Sequence, residues 1–204
     1  MVERLGDICF KSEDKEFEAA LGYYQRAEKL TPESYEIHLK EGKCFEKLRE
    51  FKRAIEEYET AVELNKRQNA LPLFRLAWAY IRSGEKQKGI DMLKEALEIE
   101  PDNVEVLTRL GESLLREQAP AEGRRPPLDE AEEYLQRALR IDPALSDALL
   151  ALGRVFEKKG ATEDAMVQYE RATKLASPNA YAFFYLGVIH EKKKEYKRSI
   201  TLFK

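Results

Sequence analysis

The stretch EAEEYLQRALRIDP at residues 130–143 is one of five copies of a phrase that decides the fold. The other copies read AALGYYQRAEKLTP at 19–32, RAIEEYETAVELN at 53–65, KGIDMLKEALEIEP at 88–101 and DAMVQYERATKLASP at 164–178. In each copy a small residue is followed four positions later by a bulky one, and three positions after that by an alanine. Residues three and four apart share one face of an α-helix. Each copy therefore predicts a helix with a small–bulky–small face.

The first small position keeps a nearly constant period along the chain. Its members, which are 34, 35, 42, 34 and 34 residues apart, are Ala20, Ala54, Gly89, Ala131, Ala165 and Ser199. Four copies close on a proline, which cannot continue a helix. A fixed period of this length indicates stacked structural repeats.

A second phrase precedes each copy and carries its own small residue. These phrases begin at residues 4, 40, 75, 109, 151 and 185, and their small residues are Gly6, Gly42, Ala77, Gly111, Gly153 and Gly187. Each unit is therefore predicted to be two helices joined by a short turn. Small residues on facing sides let two helices approach to about 8–10 Å. One hairpin cannot bury its apolar face alone, so the copies are expected to stack into a solenoid. A mixed helical bundle would not explain the shared phase.

The period, the small–aromatic–small pattern and the terminal proline resemble the tetratricopeptide repeat family over nearly the whole chain. The resemblance implies an all-α fold, a right-handed superhelical solenoid of helix-turn-helix repeats forming one array. The units are expected at 1–34, 35–69, 70–103, 104–145 and 146–179, with an incomplete unit at 180–204. Two positions depart from the pattern: Gly89 replaces the usual alanine, and Glu41 stands where most units have leucine.

Composition narrows the class of protein. The chain has 35 Lys and Arg against 38 Asp and Glu, a net charge of −3, and 43% hydrophobic residues. The hydrophobic content excludes wholesale disorder. The near-neutral net charge disfavours a protein that binds duplex DNA through one large basic face. Cys9 and Cys44 lie on apolar faces of first helices, so buried, inert thiols are expected. We find no signal peptide, and the apolar run at 180–189 is too short to cross a membrane. A cytoplasmic location is expected, with the nucleus as the alternative.

The sequence offers no catalytic motif. It has no phosphate-binding glycine loop, no dinucleotide fingerprint and no paired-histidine zinc motif. His38 and His190 fall in different units, so they are expected to be surface or groove residues that share no metal. We therefore predict a non-enzymatic protein without cofactor or metal.

The family resemblance implies that the first helices line a concave groove that holds a peptide. Helical phase selects the residue after each small position and those three or four places on either side. The partner-binding groove is predicted to contain Lys43, Lys47, Phe74, Trp78, Arg82, Arg116, Leu150, Arg154, Lys158 and Phe184. Basic and aromatic groups in an acidic chain predict a peptide or helix with acidic and apolar side chains. The alternative is that Phe74 and Trp78 pack between neighbouring helices and that the cations are ordinary surface.

Three functions fit these observations. The leading one is a protein–protein interaction scaffold. The second is a substrate-recognition region of a larger enzyme. The third is an RNA-binding helical repeat, which the acidic net charge of the chain disfavours. The identity of the partner does not follow from the sequence.

Two further features interrupt the pattern. Residues 117–128, EQAPAEGRRPPL, lengthen the fourth unit between its helices and are expected to form a loop. That loop is either a tolerated insertion or a contact arm charged by Arg124 and Arg125. The chain also stops inside its sixth unit, where Ile200 and Phe203 are expected to face solvent. Further repeats or self-association are expected at that end.

Overall fold

A computed structural model describes residues 1–12, 16–116, 126–177 and 179–202. Within these ranges every regular element is an α-helix and no strand is present, as predicted. The helices are α1 (Val2–Lys11), α2 (Phe17–Glu28), α3 (Tyr35–Lys47), α4 (Phe51–Asn65), α5 (Leu71–Ser83), α6 (Lys86–Ile99), α7 (Val104–Leu115), α8 (Pro127–Ile141), α9 (Ser146–Lys159), α10 (Thr162–Thr173), α11 (Ala180–Lys192) and α12 (Tyr196–Leu202).

The helices form two compact units. The first runs from Met1 to Pro101 and contains α1 to α6, and the second runs from Asp102 to Lys204 and contains α7 to α12. Within each unit, an odd-numbered helix packs most extensively against the helix that follows it. The pairs are thus the helical hairpins that the repeated phrases predict. The boundaries of the predicted repeats and their union in one array stay predictions.

The small–bulky pattern holds the two helices of a pair together. A methyl group added to Gly6 of α1 would lie 2.5 Å from Cε1 of Tyr24 on α2. In the second unit a methyl group on Gly111 would lie 2.5 Å from Cγ of Leu135. Both distances are far below a van der Waals contact, so the ring or branched side chain occupies the space that glycine leaves. Tyr24 is 2% exposed and Leu135 is fully buried.

Where the bulky residue is tyrosine, its hydroxyl is satisfied by a carboxylate of the first helix. Tyr58 Oη donates to Glu46 Oε2 at 3.0 Å, and Tyr169 Oη donates to Glu157 Oε2 at 2.6 Å. Burial, followed by the neighbouring carboxylate, raises the pKa of both phenols. Each hydroxyl therefore stays protonated and gives a charge-assisted hydrogen bond.

In pairs whose bulky residue is leucine, the matching position of the first helix is apolar. Leu93 belongs to the pair that carries Ile81, and Leu135 belongs to the pair that carries Leu115. These two pairs thus have no carboxylate at the place of Glu46 and Glu157. Tyr24, which has Phe10 at that place, donates to Asp7 of α1 at 2.9 Å instead.

Gly89 replaces alanine because α5 and α6 approach closely at this point. A methyl group on Gly89 would lie 2.5 Å from Ile81 Cγ1 and 2.8 Å from the carbonyl oxygen of Ala77. Backbone cannot move aside as a side chain can, so the contact requires glycine.

The prediction that residues 117–128 form a loop is wrong at its last two residues. Helix α8 begins at Pro127, so Pro127 and Leu128 are helical. A proline suits the first turn of a helix because its missing N–H would have no partner there. Residues 117–125, with Arg124 and Arg125, lie outside the described residues, as do Pro178 and Phe203. Ile200 is 56% exposed, as expected.

None of the described helices combines the length and the apolar character that a membrane span requires.

Replacing glycine by alanine should have opposite effects on stability at a glycine in close helix contact and at a glycine in open space. Gly153→Ala should lower the free energy of unfolding by about 1–3 kcal/mol, because the new methyl group overlaps the buried ring of Tyr169. Gly22→Ala in α2 should raise it by about 0.5–1 kcal/mol, because nothing lies within 4 Å and alanine is the better helix former. Urea unfolding of both variants measures the difference. Equal changes in the free energy of unfolding for the two variants would contradict the close approach of Gly153 to Tyr169.

Candidate functional site

The first unit carries an aromatic and basic surface on α5. The Arg82 guanidinium lies 5.8 Å from the centre of the Trp78 ring and 5.4 Å from that of Phe51. These are cation–π distances. Trp78 is half-buried, and Arg82 is exposed. Lys47, at the end of α3, is exposed as well.

Two half-buried cations lie beside this surface, Lys43 on α3 and Arg75 on α5. Burial lowers the pKa of Lys43, and the nearby charges of Arg75 and Lys40 lower it further. Arg75 Nε is buried without a hydrogen-bond partner. Among the described residues, no carboxylate lies within ion-pair distance of either cation. The pair is thus a positive site without an ion-paired carboxylate, and the more distant charges of Glu46 and Asp7 offset only part of the fall in the pKa of Lys43.

Two other basic residues at the position of Arg75 in their repeats, Lys40 and Arg109, have acidic partners. Lys40 Nζ lies 2.7 Å from Glu3 Oε1 and 2.7 Å from Asp7 Oδ1. In the second unit, Arg109 lies 2.8 Å from Glu112. Arg75 differs from both because no carboxylate in the described ranges lies within ion-pair distance of it.

Two sequence predictions change here. Phe74 is only 6% exposed, so its ring is a core group and offers little surface to a partner. Arg75 was outside the predicted groove because the helical-phase rule selected Phe74 and Trp78 on either side of it. The sequence does contain one indication of Arg75. Basic residues recur two positions before the small residue of the first helix, as Lys40, Arg75 and Arg109 do.

The second unit carries an aromatic group around Tyr185. Its ring stacks on Tyr169 with centres 5.5 Å apart, and the Phe184 ring packs edge-on at 5.5 Å. The guanidinium of Arg154 lies 5.8 Å from the Tyr185 ring centre. Phe184 is 52% exposed. Leu150 is partly buried against the adjacent core.

The remaining predicted residues of the second unit lie at helix ends. Lys158 Nζ donates to the carbonyl oxygen of Leu115 at 2.7 Å, which satisfies an acceptor at the end of α7. Arg116, the next residue, is exposed. The structure thus places five predicted residues in each unit: Lys43, Lys47, Phe74, Trp78 and Arg82 in the first, and Arg116, Leu150, Arg154, Lys158 and Phe184 in the second.

The first unit also contains a buried polar cluster that the sequence prediction missed. His38 Nδ1 lies 2.9 Å from Glu57 Oε2 and 3.8 Å from Glu41 Oε2. His38 is 6% exposed and Glu41 is 2% exposed. The prediction that His38 is a surface or groove residue is therefore wrong, because its helical face packs on α4.

Glu41 is buried with incomplete hydrogen bonding. Its Oε1 is buried and has no hydrogen-bond partner. Burial raises the pKa of Glu41 to about 8, and the charges of Glu57 and Glu28 act in the same direction. Cys44, which is fully buried as expected, has a pKa of about 12 because its thiol is desolvated and Glu41 is near. Cys9 is only partly buried.

The second histidine is buried too. His190 is 5% exposed, and its Nδ1 lies 2.9 Å from Glu195 Oε2. This contact lowers the pKa of Glu195. The cluster with ligand atoms within 4.8 Å of one another contains His38, Glu41 and Glu57, and His190 is not in it. Among the described residues, His38 therefore lies beside two carboxylates and His190 beside one.

Comparison with known proteins gives relatives along most of the chain. The chain is 28% identical to BBSome complex member BBS4 of Bos taurus over 186 residues, which cover 91% of this chain and 34% of that protein. It is 28% identical to Protein O-mannosyl-transferase TMTC1 of Homo sapiens over 163 residues, 78% of this chain and 18% of that protein. The chain thus spans at most about a third of these two relatives.

The same fold occurs in solved structures. The crystal structure of YrrB, described as a TPR protein with an unusual peptide-binding site, matches with a TM-score of 0.68 and 21% identity over 94% of this chain and 90% of YrrB. Models of the tetratricopeptide repeat match residues 12–69, 70–113 and 128–202. Together these three matches cover well over half of the sequence. The chain belongs to the tetratricopeptide repeat family.

Proposed function

We propose that this protein is a non-enzymatic scaffold that binds a peptide or helix with acidic and apolar side chains on the inner surface of its first helices. The observation that carries the proposal is the pair of half-buried cations, Lys43 and Arg75, which has no carboxylate partner among the described residues. A carboxylate from a partner would supply the missing anion.

The neighbouring side chains suit the apolar part of such a peptide. Trp78 is half-buried and stacks against Arg82, so it offers a wide apolar surface that is held in place. Tryptophan and arginine are the residue types that dominate binding energy at interfaces. An acidic residue at Lys43 and Arg75, followed by an apolar residue at Trp78, is therefore the motif that we expect.

The comparisons support this class of function. BBS4 is named as a member of a complex, and YrrB is described as having a peptide-binding site. By analogy we infer a protein or peptide partner for this chain. A location in the cytoplasm or the nucleus stays a prediction.

The second candidate is the substrate-recognition region of a larger enzyme. It is favoured by the match to TMTC1, which is named a transferase and of which this chain covers 18%. The two candidates differ in the rest of the gene product: a transferase domain in the same chain would favour the second. An RNA partner would require binding that weakens steeply with salt.

Charge reversal at Lys43 and Arg75 tests the proposal. Lys43→Glu with Arg75→Glu should weaken binding of acidic peptides, selected from a random library on the wild-type protein, by about 2–5 kcal/mol. Loss of two partly desolvated charge contacts is the reason. Isothermal titration measures the change. The matched control is Lys29→Glu with Lys52→Glu, which alters the net charge equally at two exposed sites. If both double variants bind alike, or if the library yields no acidic peptides, the proposal fails.

The single tryptophan provides a second prediction. Because Trp78 is the only tryptophan of the chain, its fluorescence reports on this surface alone. A selected peptide with an apolar residue should shift the emission to shorter wavelength as it removes water from the indole ring. Trp78→Ala with Arg82→Glu should abolish peptide capture and leave the circular dichroism spectrum of the helices unchanged. Capture that survives this change would place the binding surface elsewhere.

A further inference from the structure

We propose that His38, Glu41 and Glu57 form a binding site for one divalent transition-metal ion, of which Zn²⁺ is the representative. The three ligand atoms lie within 4.8 Å of one another inside the first unit. The site is independent of the proposed peptide surface, because none of its three side chains belongs to that surface.

The cluster occupies three positions at which no other repeat has a histidine or an acidic residue, and the first two of these positions are apolar in every other repeat. At the place of His38, four residues before the small residue, the other units have Val2, Leu73, Leu107, Leu149 and Phe183. At the place of Glu41 they have Leu5, Leu76, Leu110, Leu152 and Leu186. At the place of Glu57 they have Tyr23, Met92, Tyr134, Gln168 and Leu202. One repeat has thus acquired three ionisable groups at mutually adjacent positions. Each of them alone would be costly to bury.

The geometry is close to that of a first-row metal site. The distances from His38 Nδ1 to the glutamate oxygens are 2.9 and 3.8 Å. Zinc ligands about 2.0–2.1 Å from the metal stand roughly 3.4 Å apart in a tetrahedron, which lies between these two values. Small rotations of the side chains would place all three atoms around one ion.

The charges favour a cation. Among the described residues, no Lys or Arg lies within ion-pair distance of Glu41 or Glu57, and the charge of Glu28 adds to the negative field at Glu41. Glu41 Oε1, buried and unpartnered, is a ligand oxygen without a present function. A divalent ion would displace the proton of Glu41, balance the charge of the two carboxylates and satisfy that oxygen.

The ligand set selects the kind of ion. Imidazole suits zinc, copper, iron and nickel, whereas magnesium and calcium prefer an all-oxygen shell. The side chain of Glu57 is 27% exposed, which leaves a route by which an ion and a bound water reach the cluster. The water would complete the coordination as the fourth ligand.

The test titrates the tag-free, chelator-treated chain with Co²⁺ and then displaces it with Zn²⁺. We expect one equivalent of Co²⁺ to produce a visible ligand-field absorption, which one equivalent of Zn²⁺ removes. Zn²⁺ should also raise the melting temperature of the chain, because it binds only the folded state. His38→Gln and Glu41→Gln should each weaken Zn²⁺ binding at least about 10-fold, the least that loss of a direct ligand should cost.

The matched control is His190→Gln. His190 has nearly the same burial and the same 2.9 Å contact to a glutamate, but no second carboxylate of the described residues joins it. This variant should bind Zn²⁺ like the wild type, and circular dichroism verifies that every variant is folded. Equal weakening by His38→Gln and His190→Gln, or no stoichiometric binding to the wild type, would overturn the proposal. An intense thiolate-to-cobalt band that disappears in Cys44→Ala would also overturn it, because the ligand would then be a cysteine.

Discussion

The close approach of two helices at a glycine or alanine is the contact on which the rest of the structure depends. In four pairs a bulky side chain of the second helix fills the space that a glycine of the first leaves empty, as Tyr169 does beside Gly153. The contact fixes the distance and the rotation of both helices. It therefore also fixes which residues of the first helix face inward, and so where Lys43, Arg75 and Trp78 meet.

The helical fold and its period could be predicted from the sequence because small and bulky residues recur in one phase. The small–bulky–small pattern recurs along the chain, so it remains recognisable where a single residue such as Gly89 departs from it. The start of α8 was harder to predict, because two prolines read as loop residues although the second begins a helix. Composition alone does not separate those two roles of proline.

The sites were only partly predictable, because they depend on which side chains from different helices meet. Helical phase identified Lys43 and Trp78, but whether a described carboxylate lies within ion-pair distance of Arg75 depends on three-dimensional packing. Likewise, Glu41 was visible as an exception in its column. Its proximity to His38 is a helical spacing of three residues, whereas Glu57 comes from the following helix. The sequence therefore indicated the position of the cluster but not its membership.

The pairing of a buried phenol with an acidic residue has a consequence for how such repeats change. Tyr58 and Glu46 form a matched couple, and Leu93 has Ile81 at the corresponding place. Replacing one member alone would leave a buried hydroxyl or carboxylate without a hydrogen-bond partner. This costs more free energy of folding than replacing both members with apolar residues. A tyrosine in the bulky column therefore requires an acidic residue within reach on the first helix, at the place of Glu46 or, as for Tyr24, at that of Asp7, and related chains should retain one of the two.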